Sequence, residues 1–338
     1  MKKSDIIKLI LGDRQTNQPG ESFIATSFAP TNIALCKYWG KRNEELHLPM
    51  TSSLSIALPD HGSEVALSLC DAEQDQVKLN HELILPSSKF YQRLSSYLDL
   101  FRTEKNERFN VEIHSTIPIA AGLASSACGF ASLVLALDQL FNWQLDKKSL
   151  SILARLGSGS ASRSLWDGFV EWHVGERADG MDSFAEPIHA VWPELCLGLL
   201  IFNTNEKMIS SRDAMRETVE TSSFYKNWPQ QVSQDLFCLH KAIEEKDFEL
   251  LGKTAESNAM LMHATMRDAK PSIDYCLPET IAAMQKIQQL RQDGLPLYFT
   301  QDAGPNLKLL FCENDVAMVR EHFNVEVVRV FSSSMTLL

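Results

Sequence analysis

Ten residues, Pro118-Ile-Ala-Ala-Gly-Leu-Ala-Ser-Ser-Ala127, constrain this chain more than any other segment. The run Phe109 to His114 before them alternates as a strand does, and the apolar stretch Cys128–Phe141 after them has helix length and helix formers. A strand that enters a helix through Gly and Ala lets backbone N–H groups approach a phosphate closely. The helix N-terminus adds a partial positive charge there. Ser125 and Ser126 add hydroxyls, one of which can help hold a magnesium ion. The segment has neither the Lys of a Walker loop nor the spacing of a dinucleotide fingerprint. A close-packed helix start capped by Ser is the competing reading.

The surroundings give the fold class. From Phe23 to about Val111 the chain reads as short strands such as SFIATSFA, SSLSIAL and SEVALSL, split by Pro, Asp and Gly, with one helix near Lys89–Arg102. Asp146 is placed to cap a helix ending near Gly157. The second half shows helix-length segments near 211–222, 230–245, 247–266 and 278–292, then strand, turn, strand, helix and strand. Strands and helices mixed without βαβ regularity predict an α+β protein. We divide it into an N-terminal extension (1–20), an N-terminal domain (21–190) and a C-terminal domain (191–338). The 338 residues suffice for two domains, and a net charge of −11 argues against nucleic acid or an acidic membrane as partner. Seven scattered cysteines without a CxxC pair fit reduced thiols in a cytoplasmic protein. Alkylation is expected to inhibit at Cys128, beside the phosphate-type loop, and at Cys36, beside Lys37.

Three further segments carry chemistry. Gly157-Ser-Gly-Ser-Ala-Ser-Arg163-Ser164 surrounds one guanidinium with small residues and hydroxyls, which suits a carboxylate or phosphate; a solvated loop is the bland alternative. Pro30–Arg42 gathers Lys37, Lys41 and Arg42 with Tyr38 and Trp39, a cluster able to hold a polyanion or simply to pair with Glu44 and Glu45. Asp302-Ala-Gly-Pro-Asn306 lies between two strand-like runs, where an Asp usually starts a tight turn and less often is catalytic. Together these are the parts of a phosphoryl-transfer site.

The motifs APTNIALCKYWGKRNEELHLPMTSSLSIAL, IPIAAGLASSACGFASL, GSGSASRSLWDGFVEW, GMDSFA, ISSRDAM and YFTQDAGPN, in this order, resemble the diphosphomevalonate decarboxylase family of the GHMP kinase superfamily. The resemblance runs from about Ser27 to the C-terminus. It implies a ribosomal protein S5 domain 2-like N-terminal domain and a ferredoxin-like C-terminal domain, with the active site in the cleft between. The implied reaction is ATP-dependent decarboxylation of (R)-5-diphosphomevalonate to isopentenyl diphosphate, CO2, ADP and phosphate, with Mg2+, in a homodimer. By motif, Asp302 orients or deprotonates the C3 hydroxyl, Arg163 meets the substrate carboxylate, and Lys37 organises Asp302 and the phosphoryl group. Asn32 is a further site residue. Tyr38, Lys41, Ser158, Ser160, Ser211 and Met215 match positions around the substrate. Gly122, Leu123, Ala124, Ser125 and Ser126 match the ATP phosphate loop, with Ser126 the metal or γ-phosphate contact. A decarboxylase of mevalonate 5-phosphate, a mevalonate 3-kinase and a non-enzymatic ligand sensor are the alternatives. Asn43, Ala214 and Asp167 depart from the family pattern, and Asp167 adds a carboxylate close in sequence to the Arg163 loop; a solvent-facing side chain is the bland alternative.

Overall fold

The computed structural model describes residues 1–19, 23–117, 125–203 and 209–331. The chain opens with α1 (Lys3–Leu11), then β1 (Ala25–Cys36), the short pair β2 (Lys41–Asn43) and β3 (Leu48–Pro49), and β4 (Ser53–Cys70). Next come β5 (Gln76–Leu79), β6 (Glu82–Leu83), α2 (Lys89–Leu98), β7 (Arg108–Ser115), α3 (Ser125–Leu140), α4 (Lys147–Gly157), β8 (Phe169–Trp172) and β9 (Ala185–Ile188). The second half holds β10 (Leu195–Leu200), α5 (Ser211–Thr221), α6 (Trp228–Glu245), α7 (Phe248–Asp268) and α8 (Pro278–Gln292). It ends with β11 (Tyr298–Gln301), β12 (Leu307–Cys312), α9 (Val316–His322) and β13 (Glu326–Arg329). Strands and helices are mixed as an α+β chain requires.

One sheet runs β6-β5-β7-β4-β8-β9, with β1 on the other side of β4; a second, antiparallel sheet runs β11-β12-β10-β13. The segments SSLSIAL and SEVALSL, expected as separate strands, form one 18-residue strand, β4. The Pro59-Asp60-His61-Gly62 punctuation bends this strand without ending it. Thr31 pairs with Leu58 and Pro30 with Gly62, so residues 59–61 bulge out of the β1 register. Before the bulge β4 pairs with β8, and after it with β7. Gly62 is required at the bend, because a Cβ there would come within 2.1 Å of the Ala29 carbonyl oxygen.

The bend also divides the core. Val65, Leu67, Phe109 and Val111 pack with α3 and α4 on one side, whereas Ile33, Leu35, Leu54 and Ile56 pack against Trp228, Leu251, Met262 and Leu310 of the second half. The two halves therefore share apolar packing directly behind the end of β1. The segment 1–20, expected as an appendage, instead contributes to the core in its first half. Ile6, Ile7, Ile10 and Leu11 of α1 are buried with Leu46, Leu48 and Leu153, and the Arg14 guanidinium donates to the Trp143 carbonyl at 3.2 Å. Among the described residues, no helix is long and apolar enough to cross a membrane.

Candidate active site

Lys37 leaves the end of β1 at the seam of the two halves. Its backbone N–H donates to Asn258 Oδ1 of α7 at 2.8 Å, and its Nζ donates to the Ala34 carbonyl and to Asp302 Oδ1, each at 2.8 Å. The side chain is 2% exposed. Burial pushes its ammonium down to about 8, against the pull of Asp302.

Asp302 follows β11. Its carbonyl, not its carboxylate, serves the turn, accepting from Gly304 N at 2.7 Å and facing His263 Nε2 at 3.1 Å. That contact assigns the proton of His263 to Nε2, and burial brings this imidazole down to about 4, so it is neutral at physiological pH. Asn306 finishes the motif by accepting from Phe202 and Asn203 N–H groups at 2.7 and 3.1 Å. The Asp302 carboxylate is thereby released to meet Lys37 through Oδ1 and Lys308 through Oδ2, the latter at 2.9 Å. Burial alone would raise its pKa, but the two lysines win and hold it well below the usual carboxylate range. It is an anion at any pH where the protein works.

Arg163 ends the 3-10 turn Gly159–Arg163 that follows α4 and is 2% exposed. Its Nε and Nη2 donate to Asn32 Oδ1 at 3.3 and 3.2 Å, and its Nη1 donates to Ser53 Oγ at the start of β4. Asn32 is itself fixed, its Nδ2 donating to Ser164 Oγ at 2.7 Å and the Ser160 carbonyl at 3.2 Å. Neutral oxygens thus aim the fork without cancelling its charge. Ser126, in the first turn of α3, lies 3.2 Å from Ser158 Oγ, which lies 3.5 Å from Ser160 Oγ. Tyr38 stacks edge-on against Trp172 at 4.8 Å, and its buried hydroxyl has no hydrogen-bond partner among the described residues. Gly159 makes room for that ring, since a Cβ there would lie 2.8 Å from the Tyr38 hydroxyl.

Asn32, Lys37, Tyr38, Lys41, Ser126, Ser158, Ser160, Arg163, Ser211, Met215 and Asp302 all line one cavity of about 620 Å³. Five motifs meet there, with Lys37 and Asp302, 265 residues apart, in direct contact. Gly122, Leu123 and Ala124 lie outside the described residues, and Ser125 begins α3. The expected cationic cluster divides. Lys37 faces Asp302, Lys41 lines the cavity while pairing with Glu44 at 2.6 Å, and Arg42 turns away to the carbonyls of Val174, Gly175 and Arg177. Sequence reasoning missed Lys308 and His263, and also Arg212, Arg93 and Lys89, which add cations to the cavity wall. Ser210 caps α5 by accepting from Asp213 N at 3.1 Å, which seats Ser211 and Arg212 in a first turn suited to an anion.

One expectation is corrected. Cys36 and Cys128 are both fully buried, and burial pushes both thiols up, so neither is poised as a thiolate for alkylation. Asp167 is exposed and is not among the residues lining the cavity.

Fold and site together define a two-part α+β protein of the GHMP kinase type, with its polar groups gathered where the two halves meet. Residues 29–185 match the diphosphomevalonate decarboxylase-like N-terminal domain, and residues 198–334 match the mevalonate 5-diphosphate decarboxylase C-terminal domain. The diphosphomevalonate decarboxylase of Saccharomyces cerevisiae is 35% identical over 317 residues, covering 87% of this chain and 79% of the relative. The human enzyme is 34% identical over 313 residues, covering 86% and 78%. The solved structure of mevalonate diphosphate decarboxylase from Staphylococcus aureus superposes with a TM-score of 0.85 at 36% identity, covering 92% of this chain and 97% of that one. The complex of MDDEF with MVAPP, AMPPCP and magnesium gives 0.84 at 40% identity, covering 91% and 97%. The chain belongs to the diphosphomevalonate decarboxylase family.

Proposed function

We propose that the cavity carries out ATP-dependent decarboxylation of (R)-5-diphosphomevalonate to isopentenyl diphosphate. The observation that carries this reading is a fixed carboxylate, Asp302, set between two buried lysines in the same cavity as the Asn32-held fork of Arg163. A tertiary hydroxyl is a weak nucleophile and a poor leaving group, and phosphorylation cures the second defect. Asp302 accepts a hydrogen bond from the C3 hydroxyl and turns its oxygen toward the γ-phosphoryl group. The bond from that oxygen to phosphorus forms as the bond to the ADP oxygen breaks. The transition state is loose, so the hydroxyl proton leaves late, to solvent, and a strong base is not needed.

In the second step the C3–oxygen bond breaks with its electrons going to phosphate. The electrons of the bond between C2 and the carboxylate become the new double bond, and CO2 departs. Arg163 holds that carboxylate as a planar pair, while Lys37 faces the departing phosphate. Tyr38, whose buried hydroxyl lacks a partner among the described residues, donates to the substrate diphosphate together with Lys41, Ser158, Ser160 and Ser211; Met215 packs against the carbon skeleton. ATP enters beside Ser126, in the first turn of α3, and brings magnesium with it. That ion takes most of its oxygens from phosphate and water, so a single protein hydroxyl, Ser126, fits its needs. We read residues 21–190 and 191–338 as the two walls of this site, and the family expectation is a cytoplasmic homodimer.

A product-resolved assay with MgATP tests the reading by offering mevalonate, its 5-phosphate and its 5-diphosphate in parallel. The 5-diphosphate is expected to yield one CO2 and one phosphate per ATP, and the others far less. Release of CO2 chiefly from the 5-phosphate, or ATP consumption with no CO2, would replace it with one of the alternatives.

A further inference from the structure

Asp302 meets two lysines, and only Lys37 belongs to the motifs from which the catalytic set was read. Lys308 stands on β12, an inner strand of its sheet, opposite Leu199 of β10 and Thr300 of β11. Side chains alternate along a strand. Leu307, Leu309 and Phe311 therefore fill the core beneath α8 and α9, while Lys308 and Leu310 point the other way, toward the seam. Lys308 is 1% exposed, and its Nζ lies 2.9 Å from Asp302 Oδ2. An ammonium taken out of water at that position costs several kcal/mol unless a counter-charge meets it. Apolar residues would fill the place more cheaply.

The charges around the Asp302 carboxylate are Lys37 from the end of β1, Lys308 from β12 and Arg163 from the turn after α4; His263 from α7 meets only the Asp302 carbonyl, as a neutral donor. Among the described residues, three cations to one carboxylate leave the floor of the cavity positive. The γ-phosphoryl group and the substrate carboxylate, both anionic, must come together above it. With Oδ1 hydrogen-bonded to Lys37 and Oδ2 ion-paired with Lys308 at 2.9 Å, Asp302 is fixed in orientation and poorly disposed to store a proton.

We propose that Lys308 is a positioning residue for phosphoryl transfer, clamping the second oxygen of Asp302 so that this carboxylate orients the C3 hydroxyl as a permanent anion and does not act as its base. The proposal rests on the reaction assigned above for its kinetic arm. Its second arm needs no substrate. Lys308 is also a like-charge neighbour of Lys37 and presses that ammonium downward, so its loss must move the Lys37 titration upward.

The test compares the wild type with Lys308→Met and Lys308→Arg. kcat/KM for diphosphomevalonate, measured from pH 6 to 10, reports the free enzyme. In the wild type it is expected to fall above about 8, as Lys37 loses its proton and Asp302 loses that partner. Lys308→Met is expected to lower the plateau by about 10²-fold, the usual scale for removing one charge-stabilising group, and to move the alkaline limb upward. Lys308→Arg, which keeps the charge, is expected to restore the limb and part of the rate. In parallel, NMR of 13C-labelled lysine in the free proteins follows the Lys37 titration directly. An unshifted Lys37 titration in Lys308→Met, or a wild-type plateau in that variant, overturns the clamp. A wild type that releases no CO2 overturns the reaction while the NMR arm still decides the clamp.

Discussion

Asp302→Asn is expected to lower kcat by at least about 10³-fold while nucleotide binding survives, because the amide keeps the shape and loses the charge. Two buried lysines, Lys37 and Lys308, would then face a neutral group. An amide presents one oxygen where the carboxylate presents two, so it cannot satisfy both ammonium groups and also accept from the C3 hydroxyl. The turn itself survives, since the Asp302 carbonyl and not its side chain receives Gly304 N and His263. Nucleotide affinity, measured by titration with a non-hydrolysable ATP analogue, separates this loss from unfolding. A variant that turns over at the wild-type rate would remove Asp302 from the chemistry.

Arg163→Lys is expected to be nearly as severe, with kcat/KM lowered by about 10²-fold or more. The guanidinium holds Asn32 with two of its nitrogens and Ser53 with the third. It can do so and still present an edge to a carboxylate because five N–H groups share one plane. A lysine has the charge but not the plane. It would leave Asn32 Oδ1 and Ser53 Oγ to repack and would hold the leaving carboxylate loosely. Because the substrate carboxylate is gripped before either step, ATP consumption and CO2 release should fall together. Steady-state rates of both products check this, and a variant within threefold of wild type would contradict the assignment.

The chemistry-bearing motifs were legible in the sequence because each is contiguous. Asn32 to Lys41, Ser158 to Arg163 and Asp302 to Asn306 stand in three short blocks whose residue types announce anion chemistry. Lys308 was not legible. In Leu307-Lys-Leu-Leu-Phe-Cys312 it looks like an ordinary polar position on a strand, and only the pairing of β12 with both β10 and β11 shows that this face is buried. His263 was hidden for a related reason, since a lone His within a helix carries no sign of what its ring will meet. Arg93 and Arg212 look like solvated helix charges until the halves are brought together.

The fold was legible in class and in its helices, for which local periodicity suffices. It failed at β4, where Pro59 and Gly62 are turn residues by composition but are absorbed as a bulge because β1 pairs with the strand on both sides of it. It failed again at α1, whose four buried apolar residues gain their partners from the 46–48 segment and α4. Local sequence reports local conformation. Which turn is a bend and which helix is anchored is decided by contacts made far along the chain.

The account turns on phosphorylation of the C3 hydroxyl before carbon dioxide leaves. Diphosphomevalonate carrying 18O in that hydroxyl tests it most directly, with the label followed by mass spectrometry of the products of a single turnover. The account predicts that the released phosphate carries one 18O atom, because the bond broken in the second step is the one between carbon and that oxygen. Unlabelled phosphate, with the 18O found in water, would contradict it.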